Sequence, residues 1–193
     1  MSSQPTIWTA EDYLRQERRA EHKSEYRHGE IVAMAGGSRR HALIITNIVR
    51  EVGQELKGRR CEVYSNDLRL RVAPEGLYTY PDVMVVCGEA RFADNQKDTL
   101  LNPVVIVEVL SDSTQNYDRG EKFEEYRTLP SLREYLTVSQ KAPHIEHWSR
   151  GADNRWVLTE FIGVDGKIAL ESIGCTIPLA EIYHKIEWES AQR

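Results

Sequence analysis

Pro103-Val104-Val105-Ile106-Val107-Glu108-Val109-Leu110-Ser111 and, upstream, Tyr80-Pro81-Asp82-Val83-Met84-Val85-Val86 are the stretches whose reading decides the fold. Both runs are short and rich in β-branched residues, which fits buried strands better than helices. Each carries one carboxylate inside an otherwise apolar run. An ionised acid in a buried strand is costly unless it is paired, protonated or holding a cation. Side chains alternate across a strand, so Asp82 shares a face with Met84 and Val86, and Glu108 shares one with Val104 and Ile106. An antiparallel register with Asp82 opposite Glu108 also sets Met84 opposite Ile106 and Val86 opposite Val104. Hydrophobic pairs then match down that face, and the two acids meet at one end of the sheet. Like charges that close raise one acid's pKa unless a cation neutralises them. Oxygen-only ligation suits Mg2+, which keeps several waters and takes one or two carboxylates; Mn2+ is the expected substitute. The residues also allow a purely structural account, with Asp82 bonded to a turn and Glu108 paired with an arginine.

Lys122 is the third element. Residues 117–129 read as a helix ended by Pro130, with Lys122, Tyr126 and Leu129 on one inward face by three-and-four spacing. The helix follows directly on the Glu108 strand, so its lysine can reach the same spot. Asp118 stands four residues before Lys122, in position to orient it or pair with it.

The whole chain bounds these readings. Its 193 residues make one domain of ordinary size, 1–193, with a helical lead-in over 1–28 and a C-terminal β-meander and short helix over 140–193. At 40% hydrophobic and 28% charged it has a globular composition, and no apolar run reaches membrane-spanning length. The N-terminus lacks a signal-peptide pattern. Cys61, Cys87 and Cys175 are scattered without metal-binding spacing, which fits free thiols in a reducing cytoplasm. A net charge of −5 argues against a general nucleic-acid coat, although metal-binding acids count toward that sum and a local basic patch can still face DNA. Two clusters qualify for such a patch, Arg39-Arg40-His41 and Lys57 with Arg59 and Arg60. The plain reading of each is a solvated helix face.

Thr9 reads as the cap of a first short helix ending about Glu17, before a charged stretch to His28. A strand follows Gly29-Glu30. Ser38 caps the main helix, whose stripe is Leu43, Ile44, Ile48, Val52 and Leu56. Strands are expected at 61–64 and 68–72, the second with Arg69 and Arg71 on a wet face. Residues 111–114 read as a turn and helix cap. Strands at 134–138, 144–149, 156–161 and 167–170 follow, and a short helix led by Pro178 ends the chain. His144 and His147 differ by an odd number and face opposite sides. Altogether the pattern is α/β, a mixed central sheet flanked by helices with a C-terminal antiparallel meander.

The order Pro81-Asp82, Glu108-Val109-Leu110-Ser111, Asp118, Lys122, Tyr126 and Glu134-Tyr135, with Gly29-Glu30 and His41 upstream, resembles the Uma-two family of restriction-endonuclease-like proteins, within the PD-(D/E)XK nuclease superfamily. The resemblance spans most of the chain and implies a restriction-endonuclease-like fold. It departs from the superfamily pattern at Leu110, where lysine is usual, and implies that Lys122 takes that role from the next helix. It further implies Asp82, Glu108 and the Val109 backbone carbonyl as metal ligands. His41, near the start of the first long helix, becomes a contact for phosphate or water. The expected activity is Mg2+-dependent endonucleolytic cleavage of DNA, with two copies acting together when both strands are cut. The alternatives are a non-catalytic nucleic-acid-binding or assembly module on the same fold, and hydrolysis of a different phosphate ester.

Overall fold

The computed structural model describes residues 7–111 and 114–188. In chain order its elements are α1 (Ala10–Glu17), β1 (Ser24–Arg27), β2 (Glu30–Ala33), α2 (Arg39–Glu55), β3 (Cys61–Ser65), β4 (Arg69–Arg71), β5 (Leu77–Thr79), β6 (Val83–Cys87), β7 (Thr99–Leu100), β8 (Val105–Leu110), α3 (Gln115–Arg119), α4 (Glu121–Tyr126), β9 (Glu134–Ser139), β10 (His144–Arg150), β11 (Trp156–Ile162), β12 (Lys167–Leu170), β13 (Cys175–Pro178) and α5 (Leu179–Ile182).

Six strands form the central sheet in the order β11-β10-β9-β8-β6-β3. The β8–β9 pair is parallel and the other neighbours are antiparallel. The β6–β8 register is the expected one, with Met84 opposite Ile106. Alternation along β8 splits the core into two layers. Val105, Val107 and Val109 join Ile44, Ile48 and Val52 of α2, while Ile106 joins Phe123 and Tyr126 of α4 and Leu70, Leu77 and Leu100 of a second sheet. That five-stranded sheet runs β2-β1-β5-β4-β7 and lays β1 over the α4 side.

Local signals set the helix starts. Thr9 accepts from the Asp12 amide and Ser38 from the His41 amide, each filling one donor that the first turn leaves open. The 117–129 segment departs from expectation: it is broken at Gly120, whose φ of −108° and ψ of −103° fit neither helix nor strand. A Cβ there would lie 3.1 Å from the Asn116 carbonyl, a tight contact that glycine avoids.

Several expectations are corrected. The stretch before His28 contains β1, with Glu25 and Tyr26 buried. Arg69 does not face water; it is 3% exposed and bonds Tyr80, Thr99 and Asp98. Cys61 and Cys87 are not free thiols: they stand opposite each other on β3 and β6 and form a disulfide, leaving Cys175 free and buried. Cross-strand register, invisible in sequence spacing, brings them together. The meander runs β9-β10-β11 as part of the central sheet, and β12 then turns away to pair with β13. The proposed cap at 111–114 has Ser111 and Thr114 hydroxyls 2.8 Å apart; Asp112 and Ser113 lie outside the described residues.

Candidate functional site

Extending the β6–β8 register by one residue at the β6 start brings Asp82 level with Glu108. Asp82 is 8% exposed and Glu108 4%. Asp82 Oδ2 accepts from the Val109 amide at 2.7 Å, which ties the acid to the end of β8. The same oxygen lies 3.2 Å from His41 Nε2. The His41 ring also donates to the Val109 carbonyl. Asp82 and the Val109 carbonyl therefore both face the His41 ring. Gly37 makes room for that ring, since a Cβ there would sit 2.7 Å from Nδ1. Burial pulls the His41 pKa down, and Asp82 with the Val109 carbonyl more than offsets this, so the net shift is upward.

Lys122 is buried on α4 and faces three carboxylates. Its Nζ lies 2.9 Å from Glu108 Oε1, 3.3 Å from Glu25 Oε1 and 3.5 Å from Asp118 Oδ1. Tyr126 donates to the same Glu108 oxygen at 2.7 Å. Tyr135 holds the backbone of Asp118 through a 2.8 Å bond to its carbonyl. The acids divide by environment. Burial opposes charge on Glu25, but Lys122, the Thr79 hydroxyl and Arg27 together bring its pKa below the ordinary value. Glu108 is pushed up to about 8, mainly by burial, with Lys122 opposing and Asp118 and Asp82 adding to the rise. Burial also raises Asp118. Lys122 stays charged: burial works against it, and Glu108, with the other acids around it, holds its pKa well above the ordinary lysine value. Four carboxylates share one ammonium, one imidazole and the Arg27 guanidinium, and the two acids whose pKa values rise are Glu108 and Asp118.

These groups open into a cleft of about 960 Å³, lined among others by Arg27, Arg40, Tyr117 and Lys141. Arg27 stacks over Tyr117 at 3.8 Å from the ring centroid. The structure thus brings together Asp82, Glu108, Lys122, His41 and the Val109 carbonyl, along with Asp118. Of the two basic clusters only Arg40 and His41 line the cleft; Arg59 instead bonds the Gly174 carbonyl. Glu30 is exposed and pairs across β1–β2 with Arg27. Sequence reasoning missed Glu25. The one available signal was the Ser24–Arg27 stretch ahead of a Gly-containing turn, a hairpin arm hidden by its charge.

The donor set matches a hard cation. Carboxylate oxygens and the Val109 backbone line the cleft, and burial raises the Glu108 pKa, a shift that a bound cation would oppose. Elsewhere, His144, Glu146 and Glu160 bring ligand atoms within 4.8 Å of one another on β10 and β11. His147 points to the opposite side, as its odd spacing requires, and bonds Glu134 at 2.6 Å.

Comparison with known proteins follows the same lines. Residues 10–180 match the model of the Uma2 family, described as "Putative restriction endonuclease". The uncharacterized protein sll1609 of Synechocystis sp. is 41% identical over 162 residues, covering 84% of this chain and 92% of the relative. A second uncharacterized Synechocystis protein, slr1290, is 36% identical over 173 residues, 90% of each chain. The crystal structure of a putative nuclease belonging to DUF820 from Anabaena variabilis superposes with a TM-score of 0.74 at 15% identity, over 91% of this chain and 97% of that one. At that identity the likeness is one of fold. No helix among the described residues is long and apolar enough to cross a membrane.

Proposed function

This chain belongs to the Uma2 family of putative restriction endonucleases, and from that premise we propose that it is a Mg2+-dependent nuclease hydrolysing DNA phosphodiester bonds. The observation that carries the reading is the meeting of Asp82, Glu108 and Lys122 at one end of the central sheet, in a cleft that also presents Arg27, Arg40 and Lys141.

Asp82, Glu108 and the Val109 carbonyl would hold the cation, which supplies an activated water and stabilises charge growing on the phosphate. The Val109 amide fixes Asp82 in place. Tyr126 and Lys122 fix Glu108. Glu25 and Asp118 keep Lys122 charged and aimed along the cleft, where its ammonium can orient the attacking water and neutralise the pentavalent phosphate. His41 stands at the rim as a hydrogen-bond donor toward a phosphate oxygen or the water. Arg27 and Arg40 favour the DNA backbone in an otherwise acidic protein. Cleavage of both strands suits a pair of copies.

The test is Mg2+ titration by calorimetry on wild type and Asp82→Ala, followed by a screen of DNA and RNA substrates. Saturable binding and DNA cleavage, both lost in the variant, are expected. Retained metal affinity and cleavage in Asp82→Ala would refute the assignment. A wild type that binds Mg2+ neither alone nor with DNA would leave the non-catalytic module as the reading.

A further inference from the structure

We propose that the outer edge of β11 is a homodimer interface, where two copies pair their β11 strands antiparallel about Thr159. The inference rests on strand geometry and stands independently of the nuclease reading.

β11 is seven residues long and closes one side of the central sheet. Among the described residues it forms a ladder with β10 alone. The ladder is bracketed by the Gly163 amide bonding the Pro143 carbonyl and the Gly151 amide bonding the Arg155 carbonyl. In an antiparallel pair, hydrogen-bonded positions alternate with non-bonded ones. With this register, residues 155, 157, 159, 161 and 163 turn their backbone groups toward β10. Trp156, Leu158, Glu160 and Ile162 therefore turn theirs outward. This outward edge is also apolar: Val157 is 56% exposed, Leu158 40% and Ile162 81%. Natural edge strands are usually shielded by charge, proline, bulges or shortness. The opposite edge, β3, follows that habit in part, since Glu62 and Ser65 are its exposed residues. β11 does not.

The sequence of β11 is complementary to itself. Antiparallel pairing about Thr159 sets Trp156 against Ile162, Val157 against Phe161, and Leu158 against Glu160. Residues on one face meet residues on the same face of the mate, and the four outward-turned residues of each copy meet one another as hydrogen-bonding pairs. No like charges oppose. Sliding the register two residues one way would set Glu160 against Glu160, and sliding it the other way would leave Ile162 against Asn154. Like charges directly opposite are destabilising, which disfavours the first slip, and the second deprives Ile162 of an apolar partner, so the two-fold pairing centred on Thr159 is the best matched of the three. Such an interface is isologous, as closed dimers require.

Leu158 gives a test that reads the register. Leu158→Glu sets glutamate against the mate's Glu160 twice per dimer. Leu158→Lys sets lysine there instead. Sedimentation equilibrium on wild type and both variants, with circular dichroism as the folding check, should show a wild-type dimer. Dimerisation should weaken at least about tenfold in Leu158→Glu and be kept or tightened in Leu158→Lys. Wild type that stays monomeric at tens of micromolar would overturn the proposal and point to an extended segment of another protein as the edge's partner. A dimer that Leu158→Glu leaves intact would overturn it too, by placing the interface elsewhere.

Discussion

Replacing Glu108 by glutamine should change how stability depends on pH, with a sign that the site geometry fixes. In the metal-free protein the Glu108 carboxyl titrates near 8, against an ordinary value of 4.5, chiefly because it is buried. The folded pKa lies above the unfolded one, so the native state holds the extra proton between those values. The stability that this proton contributes is complete below about pH 4.5 and is lost as pH rises through about 8. One proton corresponds to at most ~1.4 kcal/mol per pH unit. Glutamine keeps the shape and still accepts from Tyr126 and Lys122, but it cannot titrate. Urea denaturation in chelator, stepped from about pH 5 to about pH 8, should show wild type losing stability relative to Glu108→Gln as pH rises. Excess Mg2+ favours the ionised carboxylate, so it should flatten the wild-type decline and leave the variant unchanged. Parallel curves for the two proteins in chelator would refute the reasoning, because Glu108 would then take up no proton on folding.

Lys122→Met should lower cleavage by roughly 10²–10³ while changing Mg2+ affinity little, measured by steady-state rates and calorimetry. It should also destabilise the metal-free protein by about 3–5 kcal/mol, because three buried carboxylates lose their shared cation. Cys61→Ser should cost about 3.5 kcal/mol in oxidising buffer, the loop-closure value for a sequence separation of 26, and nothing in reductant; wild type indifferent to reductant would contradict this. Asp98 sits at about 2, held down first by its hydrogen bonds from Arg18. Its folded pKa is depressed, so its contribution is present above about pH 4 and lost as pH falls toward 2. With a third of the side chain exposed, Asp98→Asn should cost only roughly 1 kcal/mol at neutral pH, and acid titration of wild type and variant should converge at the bottom of that range.

The periodicity of the chain was enough for the main strands, the long helix and the pairing of Asp82 with Glu108. Both acids stand in apolar runs, and the register that sets Asp82 level with Glu108 also matches Met84 with Ile106. Lys122 was legible for the same reason, lying on the buried stripe of its helix. Glu25 was not. Its neighbours in sequence are polar, and its burial comes from Thr79 and Lys122, residues 54 and 97 positions away. Arg69 was misread because a charged residue alternating with leucines looks solvated, whereas Tyr80, Thr99 and Asp98 close over it. The Cys61–Cys87 disulfide depends on the β3–β6 register in the same way. The sequence by itself determined where apolar faces lie, since burial of a stripe is a local property of spacing. Only the tertiary structure decided which buried charges neutralise one another, because an ion pair needs both partners within a few ångströms, and the chain sets no limit on how far apart in sequence they begin.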